Sequence, residues 1–212
     1  MSTQGDYTLV GEDLTGFWLQ PGFVEGIVAD RQQFSSLPKA FRHIFRRNLE
    51  FAVVLWNGIP VRFSYQQDLA EMTVGLIDMI GFVQSGEEGA RRSFEFETPN
   101  LRVCWRVELE PEWLVLEADW KCVPGGYEAA LNQLGMIRMR RDAFLCEWKL
   151  LLEQFAQALD DSEATLTSDL ARSQAEQIRQ LSVSVPKRGR FYRCPDAVLT
   201  TNRRQPDTSP GN

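Results

Sequence analysis

Carboxylates crowd the stretch RVCWRVELEPEWLVLEADW, residues 102 to 120, where Glu108, Glu110, Glu112, Glu117 and Asp119 interleave with Trp, Val and Leu. Such a cluster can hold a divalent cation, form an acid/base pair, or line the wet side of a sheet. The metal option has one specific form, an acid on one strand and acid-x-Lys on the next. Carboxylates then bind Mg²⁺ and the lysine positions the attacking water of a nuclease. Asp119-Trp120-Lys121 fits that tripeptide, with Glu117 or Glu108 as second ligand. Arg102 and Arg106 stand among the same acids, however, and would neutralise the charge a metal needs. Cross-strand ion pairs on a solvated face account for these residues without further assumption. No catalytic residue and no metal ligand is therefore assigned.

Other chemistries find less support. His43 is the sole histidine and lies in a basic run, and the chain has no G-x-S-x-G elbow to supply a triad nucleophile. GxGxxG and P-loop patterns are missing, so no cofactor is expected. Cys104, Cys122, Cys146 and Cys194 are 18, 24 and 48 residues apart, without the short paired spacing of a zinc site. Reduced, partly buried thiols are expected.

Strands must position the carboxylates. FAVVLWNGIPVRFSY holds two β-rich runs around Asn57-Gly58, a dipeptide that accepts the positive φ angles of a type I′ turn. Pairing across it sets Trp56 by Ile59, Val54 by Val61 and Ala52 by Phe63. FEFETPNLRVCWRVELEPEWLVLEADW predicts three antiparallel strands, with turns near Pro99-Asn100 and Glu110-Pro111. Across the first turn, Phe96 meets Val103 and Phe94 meets Trp105. Across the second, Val107 meets Leu114, Trp105 meets Leu116, Val103 meets Ala118 and Leu101 meets Trp120. Those pairs are apolar. The opposite face collects Glu95, Glu97, Arg102, Cys104, Arg106, Glu108, Glu117, Asp119 and Lys121, with Trp113 and Val115 near its edge. A slip of one residue would bury charge, so the two faces are well specified.

Helices supply the other layer. FSSLPKAFRHIFRRNLE predicts a short helix capped by Ser35 or Ser36, with Pro38 in its first turn. Phe41, Ile44, Phe45 and Asn48 to Leu49 continue one side, and Lys39, Arg42, His43, Arg46 and Arg47 form a basic stripe that either is solvated or meets phosphate or an acidic partner. Leu69, Met72, Leu76 and Ile80 share helical spacing over 68–83, after Asp68 in the first turn. QSGEEGARR reads as a polar loop, and KCVPGGYEAALNQLG as a Pro-Gly-Gly turn with a short helix. Over 142–160, Phe144, Trp148, Leu151, Leu152, Phe155 and Leu159 form a buried stripe, with Glu147, Gln154 and Gln157 outward. The fold class is α+β, a mainly antiparallel sheet with helices on one face and the other open. Residues 1–160 form that single domain, 161–185 add a further helix, and 186–212 make a basic, flexible tail.

Charge narrows the partner. The net charge is −6, but residues 61–130 hold 13 acids against 6 bases, and residues 171–212 hold 3 acids against 8 bases. An acidic middle repels phosphates, so nucleic acid is not expected as a ligand. No apolar run approaches the roughly 18 residues of a bilayer span. The start MSTQGDYTLVGEDL lacks the basic and apolar regions of a secretory signal, so a cytoplasmic protein is expected. An acidic face with an aromatic anchor suits a basic protein partner. The candidate binding residues are Glu95, Glu97, Glu108, Trp113, Glu117 and Asp119, with Tyr127 in the loop beyond the last strand. The oligomeric state stays open.

Strands ending in DW, a Gly-rich loop and the helix RDAFLCEWKLLLEQF, within roughly residues 40 to 160, carry a resemblance. In size, acidity and α+β layout the chain resembles the immunity proteins that bacteria encode beside polymorphic or contact-delivered toxins. The resemblance implies a non-catalytic cytoplasmic protein that blocks a cognate toxin, often a basic nuclease, by covering its active site or an adjacent surface. The basic tail departs from that pattern. A secretion adaptor or chaperone for an effector is the alternative, working through an apolar groove or the tail. A metal-dependent nuclease centred on Asp119 is the third.

Overall fold

The computed structural model describes residues 16–186. Its first half runs β1 (Phe17–Gln20), β2 (Gln33–Phe34), α1 (Leu37–Ile44), β3 (Phe51–Trp56), β4 (Ile59–Ser64) and α2 (Ala70–Ser85). The second half runs β5 (Arg91–Glu97), β6 (Arg102–Leu109), β7 (Trp113–Cys122), α3 (Glu128–Gln133), β8 (Ile137–Arg140), α4 (Arg141–Asp161), β9 (Thr165–Leu166) and α5 (Asp169–Ser184). The protein is an α+β fold. Its strands form a four-stranded antiparallel sheet β5-β6-β7-β8, a three-stranded sheet β1-β3-β4 and a short parallel pair β2-β9.

Turn chemistry sets the registers. Asn57 and Gly58 both take positive φ, 46° and 85°, and the pairs Trp56 with Ile59, Val54 with Val61 and Ala52 with Phe63 form as expected. The β5–β6 turn also places Phe96 by Val103 and Phe94 by Trp105. The β6–β7 pairing differs from expectation by two residues. Val107 faces Leu116, Trp105 faces Ala118 and Val103 faces Trp120, while Leu109 faces Leu114. The Glu110 N–H donates to the Trp113 carbonyl at 2.9 Å, which centres the turn on Pro111-Glu112. Proline's fixed φ suits the second position of a turn and disfavours the third, where a turn centred on Glu110-Pro111 would put it. A two-residue slip returns every side chain to its original face, so the inside-outside pattern is unaffected. A bulge then leaves Lys121 without a partner residue, because Arg102 pairs with Cys122 while Val103 pairs with Trp120.

The apolar faces of the two larger sheets meet. Trp56 of β3 stacks on Trp105 of β6 at 6.1 Å and meets Trp120 of β7 edge-on at 5.4 Å. Phe17 of β1, Phe96 of β5 and Trp148 of α4 complete this aromatic centre around Trp105. Gly75 lets α2 close on β5, since a Cβ there would come within 2.9 Å of the Phe96 ring. The stripe Phe144, Trp148, Leu151, Leu152, Phe155 and Leu159 of α4 is buried, and Ala171, Ala175, Ile178 and Leu181 bury the inner side of α5.

Several side chains depart from the sequence expectation. Helix α1 stops at Ile44, and the chain beyond it turns Asn48 inward and leaves Leu49 86% exposed. Glu147 and Gln154 of α4 do not face out. Glu147 is buried and its Oε2 accepts the Leu19 N–H at 3.0 Å, while Gln154 Nε2 donates to the Gly22 carbonyl at 2.9 Å. Both satisfy backbone groups at or just beyond the β1 strand, a need invisible to helical periodicity. Asp68 lies in a π-helical turn, Tyr65–Leu69, ahead of α2, and it is buried. Its carboxylate accepts from the Ser64 N–H and the Thr98 hydroxyl, tying α2 to the β5–β6 turn. The tail expected over 186–212 lies outside the described residues, apart from Pro186.

Candidate functional site

Alternation along β5, β6 and β7 carries the candidate carboxylates to the side of the four-stranded sheet away from the aromatic centre. Glu95, Glu97 and Glu117 are exposed there, and Glu108 and Asp119 are half-buried. Cross-strand neighbours match acid with base. Glu97 lies opposite Arg102, Arg91 opposite Glu108, and Arg106 opposite Glu117. The side chains meet as Arg102–Glu97 at 2.6 Å, Arg91–Glu108 at 2.6 Å and Arg106–Glu117 at 3.7 Å. Lys121, thrown out by the bulge, reaches Asp119 at 3.8 Å. Glu95, opposite Cys104, forms no ion pair among the described residues.

The face is therefore a charge mosaic and not the acidic surface that the sequence suggested. The added bases come from two places. Arg91, assigned to a loop in the sequence reading, opens β5, and Arg138 and Arg140 stand on the unanticipated strand β8. Strand β8 pairs with β7 through Trp113 with Arg140, Leu114 with Met139 and Val115 with Arg138. The Arg138 guanidinium lies 4.5 Å from the Trp113 ring centre and donates to Glu110 at 2.6 Å. Trp113 is thus half-buried beneath an arginine. Arg140 reaches Glu112 at 3.6 Å and hydrogen-bonds Asp142, which holds the Asp142 carboxyl below the usual carboxylate range. Arg91, Ser93, Arg106, Glu108, Val115 and Glu117 border a shallow depression at the middle of this face.

Six of the seven candidate residues share the outer face, and Tyr127 does not. Its hydroxyl donates to the Pro60 carbonyl on β4 at 2.6 Å, and burial pushes its phenol above the ordinary value. It clamps the loop before α3 onto the other sheet. The Asp119-Trp120-Lys121 tripeptide also divides, because Trp120 enters the aromatic centre while Lys121 turns back to Asp119. Among the described residues, no three His, Cys, Asp or Glu side chains converge as metal ligands. On α1 the basic stripe is partly neutralised. Arg42 pairs with Glu71, and His43 Nε2 lies 2.8 Å from Asp30.

No family model, curated protein or solved structure matches this chain. Among the described residues, no helix is long and apolar enough to cross a membrane. What the outer face can do chemically is present fixed, alternating charges, with an aromatic ring at one end of β7, to a surface of complementary pattern.

Proposed function

We propose that the chain is a non-catalytic protein-binding protein of the cytoplasm, an immunity protein that neutralises a cognate bacterial toxin through the outer face of β5 to β8. One observation carries the reading. A broad sheet face is left exposed, and its charges stand in defined cross-strand positions, with Trp113 under Arg138 at one end of β7. Sheet pairing fixes such charges on rigid elements, so they discriminate among partners at little entropic cost. The same pairs weigh against a metal-dependent nuclease, since each of Glu108, Glu117 and Asp119 already has a cationic neighbour. The mosaic alters the partner expected. In place of a uniformly basic surface, it favours one with alternating charge and a basic group for Glu95.

Co-expression tests the proposal. Where a toxin is encoded beside this gene, bacteria producing it should survive when the wild-type chain is present. Glu95→Arg should lose that protection while leaving the fold intact, because Glu95 forms no ion pair among the described residues that the change would break. Full protection by the variant, or none by the wild type, rejects this face or this function respectively.

A second reading rests on a different surface. Phe23 is 70% exposed, and Leu49 and Phe51 are exposed on the adjoining segment, where Gly22 packs against the Phe51 carbonyl. Exposed apolar side chains grouped in this way suit a secretion adaptor holding an unfolded effector segment. Binding of an extended apolar peptide that Leu49→Glu abolishes would favour it.

A further inference from the structure

Strand β5 is an outer strand of the four-stranded sheet, and among the described residues it pairs only with β6. Seven residues long, it offers a row of backbone donors and acceptors to a further strand. Its sequence is Arg91-Arg92-Ser93-Phe94-Glu95-Phe96-Glu97. Turned end for end about Phe94, this segment is complementary to itself. Arg91 then falls opposite Glu97, Arg92 opposite Phe96, Ser93 opposite Glu95, and Phe94 opposite its own copy.

We propose that β5 pairs antiparallel with β5 of a second copy of this chain about a two-fold axis through Phe94, making one continuous eight-stranded sheet. The register is selected by charge on the outer face. On the outer face, Arg91 and Glu97 are 73% and 70% exposed and, beyond their own pairs to Glu108 and Arg102, reach across the axis to give two symmetric ion pairs. The Arg91 contact to Glu108 leaves guanidinium donors for a second carboxylate. On the inner face, Arg92 already lies 5.1 Å from the Phe94 ring centre and is held by Asp78 of α2. Directly opposite stands the partner's Phe96, whose ring is buried in its own core, so Arg92 keeps its own two partners on pairing. An inward-pointing arginine deters pairing with a wholly apolar strand, and the charge pattern therefore favours self-recognition over indiscriminate edge pairing. A heterologous strand is the competing occupant. It would have to present the same reversed order of charges. The inference goes beyond the immunity reading and stands or falls independently of it, although pairing would set two partner-binding faces side by side.

Sedimentation of the full 212-residue chain, over roughly micromolar to hundreds of micromolar concentrations, covers the range of interfaces at the small end of the size scale. The wild type should pass from monomer to dimer. Arg91→Glu and Glu97→Arg should each weaken association about tenfold, since each sets like charges opposite each other at two symmetric places. The double variant Arg91→Glu/Glu97→Arg should recover to within about threefold of wild type. That recovery isolates the contact between copies. Within one chain the double variant sets a new carboxylate against Glu108 and a new guanidinium against Arg102, so a purely intrachain role would show no rescue. A wild type that stays monomeric, single variants that associate like wild type, or a double variant as weak as the singles would each overturn the proposal.

Discussion

Tyr65 is fully buried, with its hydroxyl 2.8 Å from Gln154 Oε1 and 3.2 Å from the Gly22 carbonyl. It joins the π-helical turn before α2 to α4 and to the segment after β1. Burial pushes the phenol well above its ordinary value. The folded protein thus keeps a proton that the unfolded chain releases near pH 10. The stability tied to this proton is complete below about pH 10 and declines as pH rises from there toward the folded value. Tyr65→Phe should remove that decline and flatten the urea midpoint between about pH 10 and 11. It should also lower stability at neutral pH by about 1 kcal/mol, the net value of one buried hydrogen bond. An unchanged alkaline slope in the variant would place the sensitivity at another residue. The aromatic centre works differently. The indole N–H groups of Trp56, Trp105, Trp120 and Trp148 find no hydrogen-bond acceptor among the described residues. Trp120 meets the rings of Trp56 and Trp105 edge to face, at 81° and 72°, so ring packing and not hydrogen bonding holds this centre together.

At the scale of elements, turns decide what the strands can pair with. Gly58 holds φ at 85° in the β3–β4 hairpin, in the left-handed region where a Cβ is strained. Gly58→Ala should cost about 1–2 kcal/mol and lower the melting temperature without changing the β-sheet signal of the folded state. A neutral effect would mean that the hairpin tip relaxes freely. This hairpin was legible in full because Asn-Gly names its turn type and the flanking residues alternate. The β6–β7 pairing was legible only as to face. Alternation defines a pairing modulo two residues, and the preference of Pro111 for the second turn position had to choose between the options. Strand β8, IRMR, is too short for its alternation to stand out, yet it delivers Arg138 and Arg140 and so changes the electrostatics of the site. Arg91 was hidden in the same way, because the alternation of Phe94 and Phe96 continues back through Arg92 into what looked like a loop. Six candidate side chains were correctly grouped on one face by period two alone. Tyr127 lies in the loop beyond β7 as expected, but its contact to Pro60 on the other sheet has no periodicity that could announce it. Glu147 and Gln154 escaped for another reason, since their partners are backbone groups more than 100 residues away.

For the whole molecule, charge arrangement matters more than the net value of −6. The outer face balances its acids locally, so its field is short-ranged and acts through position over a few ångströms. Glu117→Lys/Asp119→Lys tests how far the partner depends on that pattern. The two reversals shift the formal charge from −6 to −2 and oppose Arg106 and Lys121 with like charge. Both native pairs are long, at 3.7 and 3.8 Å, and about half exposed, so their loss is worth at most about 1 kcal/mol each. The melting temperature should therefore fall by only a few degrees, about 2–4 °C per kcal/mol for a chain of this size. Partner binding, followed by surface plasmon resonance, should weaken about tenfold, chiefly through faster dissociation. A large loss of stability would mean that these pairs hold the sheet together and that the face is structural. Unchanged kinetics with an intact fold would move recognition off β7 altogether, toward the exposed Phe23, Leu49 and Phe51 after β1 and at the start of β3, where apolar contact and not charge would select the partner.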